Sequence, residues 1–116
     1  MDFPRPVVWL GNSRKNLQEF PQPVRRDLGA ALFAAQCGQT AEHVKPFKGV
    51  GSGVMEIVER HDKNAYRAVY TVQIGKRIYV LHVFQKKSKS GIATPKPDVD
   101  LIKQRYREAQ ERARNE

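Results

Sequence analysis

The chain has 116 residues, and 21 lysines and arginines against 12 acidic residues give it a formal net charge of +9 and a pI of about 10.0. One cysteine excludes an intramolecular disulfide, and the cysteine and three histidines lack metal-ligand spacing, so neither a metal site nor a cofactor is predicted. No apolar run is long enough for a membrane span or a signal peptide, so we expect a cytoplasmic protein. The charge indicates a polyanionic partner, most often nucleic acid; a surplus of solvated lysine is the plainer alternative.

The first third of the chain predicts one strand followed by two helices. The apolar run at residues 6–10 ends at Gly11-Asn12 and is typical of a strand. Ser13 caps a predicted short helix through Glu19, and Pro23 begins a second helix, which stops at Gly38. One face of the second helix is apolar and consists of Val24, Leu28, Ala31, Leu32 and Ala35. The two helices form a predicted helical hairpin.

The rest of the chain predicts three antiparallel strands and a last helix. A polar loop over residues 39–53 precedes the segments 54–60, 65–74 and 77–85, which are rich in β-branched and aromatic residues. Gly75-Lys76 predicts a two-residue type II′ hairpin. After a basic loop, Asp98 caps a helix whose apolar face is Ile102, Tyr106, Ala109 and Ala113. The predicted fold class is α+β: one domain over residues 1–116, with a small antiparallel-rich sheet of about four strands, an N-terminal helical hairpin and a C-terminal helix.

A two-residue turn would fix the pairing of the last two strands. Arg67 then faces Phe84, Val69 faces His82, and Thr71 faces Val80. Because side chains alternate along a strand, one face is predicted to meet the helices, and it holds Tyr66, Ala68, Tyr70, Val72, Tyr79, Leu81 and Val83. The opposite face holds Arg67, Thr71, Gln73, His82, Phe84 and Lys86.

The second face has the composition of an RNA-binding surface. Arg67 suits a phosphate, and Phe84 suits an unpaired base, as in many single-strand binding proteins. The predicted RNA-binding set also includes Arg60 on the preceding strand, Lys89 in the basic run, and Lys45 and Lys48 across the groove. The alternative is an ordinary solvated face, with a solvated lysine run and with Phe84 buried beneath the last helix.

Four pieces of sequence occur here in an order and spacing that a known family shares. They are Glu56-Ile57, Tyr66-Arg67, Leu81-His82-Val83-Phe84-Gln85-Lys86-Lys87 and Thr94-Pro95. From Val7 to about Ala109 the chain resembles the RelE/HigB toxin superfamily, especially its phage-derived HigB-like branch. The resemblance implies a RelE-like, microbial ribonuclease-like fold and a type II toxin that cuts messenger RNA in the ribosomal A site. It also implies a cognate antitoxin, in this branch often a helix-turn-helix protein, with operator DNA bound only through the toxin–antitoxin complex.

The resemblance also implies roles for individual side chains in metal-independent cleavage. Arg67 would stabilise the transition state, while Lys86 and Lys87 would hold phosphates or protonate the leaving oxygen. His82 and Glu56 are the candidate general bases. The alternatives are a structural role for His82 in the core and an ion pair of Glu56 with a neighbouring arginine. Two other functions stay open: a non-catalytic RNA- or ribosome-binding module, and an antitoxin-bound transcriptional co-repressor.

Overall fold

The computed structural model describes residues 3–86 and 93–116. Its elements in chain order are β1 (Val7–Trp9), α1 (Ser13–Gln18), α2 (Gln22–Gln36), β2 (Val44–Pro46), β3 (Val54–His61), β4 (Asn64–Thr71), β5 (Ile78–Lys86) and α3 (Lys96–Ala113). The strands form one mixed sheet in the order β1-β5-β4-β3-β2, in which β1 is parallel to β5 and the other pairs are antiparallel. The α+β prediction is confirmed, and the sheet has five strands rather than about four.

Helices cover both faces of this sheet. The predicted apolar face of α2 is buried as expected and packs, in one core cluster, against the β3–β5 side chains Ile57, Tyr66, Ala68, Tyr70, Ile78, Val80 and Val83. On the opposite face, Ile102 and Ala109 of α3 belong to a second cluster with Leu10, Val54, Val69, Ile74, Tyr79, Leu81 and Phe84. Tyr79 and Leu81 therefore lie under α3, so their predicted placement against the helical hairpin is wrong.

A β-bulge explains this difference. Arg67 pairs with Phe84 and Val69 with His82, as predicted, but a register shift between Val69 and Tyr70 places Thr71 opposite Tyr79 instead of Val80. The bulge adds one residue to β5, so that two consecutive side chains, Leu81 and His82, both face α3.

The predicted two-residue hairpin at Gly75-Lys76 is also wrong, because β4 ends at Thr71 and β5 begins only at Ile78. The longer connection is held by Arg5, whose guanidinium donates to the carbonyl oxygens of Val72, Lys76 and Arg77 at 3.0–3.2 Å. One cation near the N-terminus thus satisfies carbonyl groups that a short hairpin would have bonded internally.

β5 extends beyond its short neighbour β1, and side chains bond the carbonyl groups on its outer edge. The Arg105 guanidinium donates to the Leu81 carbonyl, and the Asn16 amide donates to the Val83 carbonyl, both at 2.9 Å. The edge is therefore satisfied by α1 and α3 rather than by another strand.

Two further boundaries differ from the predictions. The segment predicted as a polar loop contains β2, whose backbone pairs with residues 55–57 of β3. Helix α3 begins at Lys96, so Asp98 lies within its first turn instead of capping it. Across the described parts of the chain, no helix combines the length and the apolar character needed to cross a membrane.

Candidate nucleic-acid interface

The face of the sheet that carries α3 continues past this helix, and strand pairing aligns its side chains in cross-strand rows. Residues directly opposite in antiparallel strands share a face. The rows are Lys45–Glu56–Val69–His82, then Val58–Arg67–Phe84, then Arg60–Ala65–Lys86. Most of the predicted site residues therefore lie on one surface.

A buried ion pair forms the centre of this surface. The side chains of Arg67 and Glu56 are only 6% and 4% exposed, and Nη1 of Arg67 donates to Oε2 of Glu56 at 2.8 Å. Lys45, whose side chain is 64% exposed, lies 3.8 Å from the other carboxylate oxygen. The Arg67 Nε is buried and has no hydrogen-bond partner among the described residues. The guanidinium therefore has donor capacity that Glu56 does not use.

Lys86 adds a second buried cation at this end of the sheet. Its Nζ donates to the Ala93 carbonyl at 2.5 Å. Burial lowers the pKa of the Lys86 ammonium, the positive charge of Arg67 lowers it further, and the Glu56 carboxylate opposes both effects. Arg67 and Lys45 face the Glu56 carboxylate, and Lys86 and exposed Arg60 lie in a neighbouring cross-strand row, so the surface gathers four cations. Such an uncompensated surplus of positive charge favours an anionic ligand.

An open groove lies beside the ion pair, at the edge of the sheet where β2 has not yet begun. Its volume is about 510 Å³, within the usual range of ligand pockets. The lining residues are His43, Val44, Lys45, Val58, Glu59, Arg60 and Arg67, and we call this cavity the basic groove. Burial raises the pKa of the Glu59 carboxyl and Asp27 raises it further, whereas His43 lowers it.

His82 and Phe84 are held against α3 rather than presented on an open face. His82 Nε2 lies 2.8 Å from Oδ1 of Asp98, and Nδ1 lies 3.5 Å from Nη1 of Arg105. Because arginine only donates, Nδ1 accepts and Nε2 carries the hydrogen. The imidazole stacks on Phe84 with ring centroids 4.5 Å apart, and both rings are buried.

Burial also affects the titration of His82. Burial lowers the pKa of this imidazole, Asp98 opposes the shift, and Arg105 adds to it. His82 and Phe84 are therefore buried between the sheet and α3, as the alternative interpretations of these residues expected. Neither ring is available to stack on an RNA base in this arrangement.

The other predicted residues lie elsewhere. Lys48 lies in the loop between β2 and β3 and does not line the basic groove. Lys87 and Lys89 lie outside the described residues. Within residues 3–86 and 93–116, no group of three histidine, cysteine or acidic side chains is arranged to hold a metal ion.

Sequence reasoning missed three residues that shape this surface. Asp98 and Arg105 hold His82, and His43 lines the basic groove. No local pattern marks the first two, because their partners are distant in sequence. His43 was missed because residues 39–53 were predicted as a loop, although it lies two positions before Lys45.

Comparison with known proteins identifies a family. The family model described as phage derived protein Gp49-like (DUF891) matches residues 15–107, which include every residue that lines the basic groove. No curated protein and no solved structure matches the chain. The chain therefore belongs to the family of phage-derived Gp49-like proteins, which is associated with toxin–antitoxin toxins of the RelE/HigB type.

Proposed function

We propose that this protein is the toxin of a type II toxin–antitoxin system and that it cleaves messenger RNA on the ribosome without a metal ion. The observation that carries the proposal is the group of four cations on the surface that contains the buried Glu56, beside an open groove. A ribose–phosphate strand supplies closely spaced anions, and the phosphate backbone is the dominant source of affinity in nucleic-acid binding. Membership of a family associated with such toxins supports the same assignment.

In this proposal, each cation acts on the phosphate backbone. Arg67 holds the scissile phosphate through the donors that Glu56 leaves free, and it stabilises the charge that develops in the transition state. The exposed Lys45 and Arg60 hold neighbouring phosphates. Lys86, and Lys87 next to it, supply the proton for the departing 5′-oxygen. Glu56 keeps the Arg67 guanidinium in place and is a positioning residue rather than the base.

The partners follow from the same proposal. A cognate antitoxin, most simply a helix-turn-helix protein encoded beside the toxin, neutralises the chain in the cytoplasm. Operator DNA is then bound through the antitoxin within the complex, while the toxin itself engages ribosome-bound messenger RNA.

The direct test is to induce the chain alone and to map the ends of cellular messages with and without active translation. We expect growth arrest and translation-dependent cleavage. Lys45→Ala and Arg60→Ala remove exposed cations, and each should reduce cleavage by about 10- to 150-fold, since a hydrogen bond to a charged group contributes roughly 1.5–3 kcal/mol. Arg26→Ala is the matched control, because Arg26 is exposed on α2 and does not line the basic groove. Growth without arrest and intact messages would contradict the proposal.

A non-catalytic RNA- or ribosome-binding module is the second candidate. The engagement of His82 by Asp98 and of Glu56 by Arg67 favours it, because both predicted bases are already bonded. In that case, Lys45→Ala and Arg60→Ala would weaken ribosome binding although the unaltered chain cuts nothing. A co-repressor would instead show promoter repression with its antitoxin and no arrest when expressed alone.

A further inference from the structure

His43 stands at the rim of the basic groove, and neither the family nor the proposed roles assign it a function. It is exposed and immediately precedes β2, and its carbonyl accepts a hydrogen bond from the Val58 backbone at 3.1 Å. Its side chain takes part in no hydrogen bond or ion pair among the described residues.

Strand pairing places the backbone of His43 in the same cross-strand row as Arg67. The Val58 hydrogen bond extends the pairing of β2 with β3 by one residue, and Val58 pairs with Arg67 on the next strand. His43 and Arg67 are thus two strand spacings apart, a backbone separation of about 10 Å. Both residues line the basic groove, so a phosphate held by Arg67 would lie in the cavity that His43 also borders.

The other candidate bases are occupied. His82 donates through Nε2 to Asp98 and faces Arg105 with Nδ1, and the Glu56 carboxylate faces Arg67 and Lys45. Both groups are already bonded to other side chains, so neither is free to accept a proton from a ribose in the groove.

The backbone of His43 points to the same conclusion. Its φ of 63° lies in the left-handed region, which non-glycine residues seldom adopt and which occurs preferentially at functional sites. The charged groups that share the groove are Lys45, Glu59, Arg60 and Arg67, and three of these four are cations.

We infer that His43 is the general base of the proposed cleavage, an inference that rests on the proposed function. Its imidazole takes the proton of the 2′-hydroxyl, and the 2′-oxygen forms a bond to phosphorus while the bond from phosphorus to the 5′-oxygen breaks. Lys86 protonates the departing 5′-oxygen, which leaves a 2′,3′-cyclic phosphate and a free 5′-hydroxyl. Release of the proton from the imidazolium to water, and uptake of one by the Lys86 amine, return both groups to their initial state.

The test uses the full chain on a ribosome–messenger complex whose A site exposes a codon and holds no tRNA. His43→Asn removes the imidazole but suits the left-handed backbone, since asparagine adopts that region more readily than most residues. The control is His61→Asn, because His61 pairs with Asp62 at the end of β3 and does not line the groove. Binding is measured separately with a messenger that carries a 2′-deoxynucleotide at the scissile position.

We expect His43→Asn to slow cleavage by 100-fold or more, the usual range for a lost general base, with the affinity for the deoxy-substituted messenger changed less than threefold. In His43→Gly, added imidazole should restore part of the rate. The His61→Asn enzyme should behave as the unaltered one.

The outcomes separate the two proposals. If the unaltered chain cuts RNA and His43→Asn cuts it within threefold of the same rate, the role of His43 is overturned and the nuclease assignment stands. If the unaltered chain does not cut RNA on the ribosome, both proposals are overturned.

Discussion

Replacing Glu56 by glutamine tests the buried ion pair at the centre of the site. The change keeps the size of the side chain but removes the negative charge that faces Nη1 of Arg67 at 2.8 Å. Breaking a buried pair from one side costs about 3–5 kcal/mol, and because glutamine still offers an oxygen we expect about 3 kcal/mol. The Lys45 contact adds little, since that side chain is largely in solvent. With a urea m-value of about 1.5 kcal/mol/M, the unfolding midpoint should fall by roughly 2 M.

A double-mutant cycle followed by urea unfolding separates this pair from general damage. In Glu56→Gln with Arg67→Met, no uncompensated guanidinium remains, so stability should return to within about 1 kcal/mol of the unaltered chain. Glu59→Gln is the matched control, because this neighbouring carboxyl bonds neither Arg67 nor Lys45 and should shift stability by less than about 1 kcal/mol.

Two results would refute the reasoning. One is an equal loss of stability in Glu56→Gln and Glu59→Gln. The other is a double variant as unstable as the sum of its single changes, because the arginine would then stabilise the fold independently of the carboxylate.

Three further predictions concern titration and backbone geometry. The pKa of His82 is lowered in the folded chain, so the unfolded chain binds the proton at higher pH and stability should fall as pH drops below about 6.5. His82→Gln should make the urea midpoints less dependent on pH between pH 7 and 5, where the histidine changes the unfolding free energy by at most ~1.4 kcal/mol per pH unit. Burial raises the pKa of Tyr79 to about 12, so this phenol ionises at lower pH in the unfolded chain than in the folded chain, and stability is lost from about pH 10 upwards. Tyr79→Phe should reduce this loss in unfolding curves measured at alkaline pH. Gly53→Ala should destabilise the fold by about 1–3 kcal/mol in thermal unfolding, because Gly53 has a φ of 76° and the new Cβ would lie 2.6 Å from the Gln73 side chain. The control is Gly29→Ala on α2, whose Cβ would meet open space and which should stabilise the fold by about 0.5–1 kcal/mol.

Alternation of side chains was sufficient to predict much of the sheet. The pairs Arg67–Phe84 and Val69–His82 were predicted from a two-residue turn that is absent, and they hold because the extra residue of the bulge in β5 offsets the longer connection. Alternation correctly placed Tyr66, Ala68 and Tyr70 on one face of β4. The same rule failed beyond Val69, where the bulge interrupts alternation and no composition signal marks it.

The position of α3 could not be predicted from its amphipathic pattern. Such a pattern shows that a helix buries one side, and Ile102 and Ala109 are indeed buried, but it does not indicate which face of the sheet receives them. The placement of α3 on the second face is what encloses His82 and Phe84.

Which charged residues belong to the candidate site could be predicted from the sequence, but the contacts that those residues make could not. Arg67, Lys86, Glu56 and Lys45 come together because they share one face of adjacent strands. Their catalytic and binding roles stay predictions. Contacts that tie α3 to the sheet were beyond sequence reasoning, since they join residues far apart in the chain; the bond between Arg105 and Asn12 spans 93 positions.

The side-chain bonds on the outer edge of β5 affect how copies of this protein meet at high concentration. Unpaired carbonyl groups on a sheet edge act as a template on which another chain adds a strand, the first step of many aggregates. Because Asn16 and Arg105 already donate to Val83 and Leu81, that template is blocked within each molecule. We therefore expect little self-association by strand addition at this edge, although the edge carries no row of charged or proline residues.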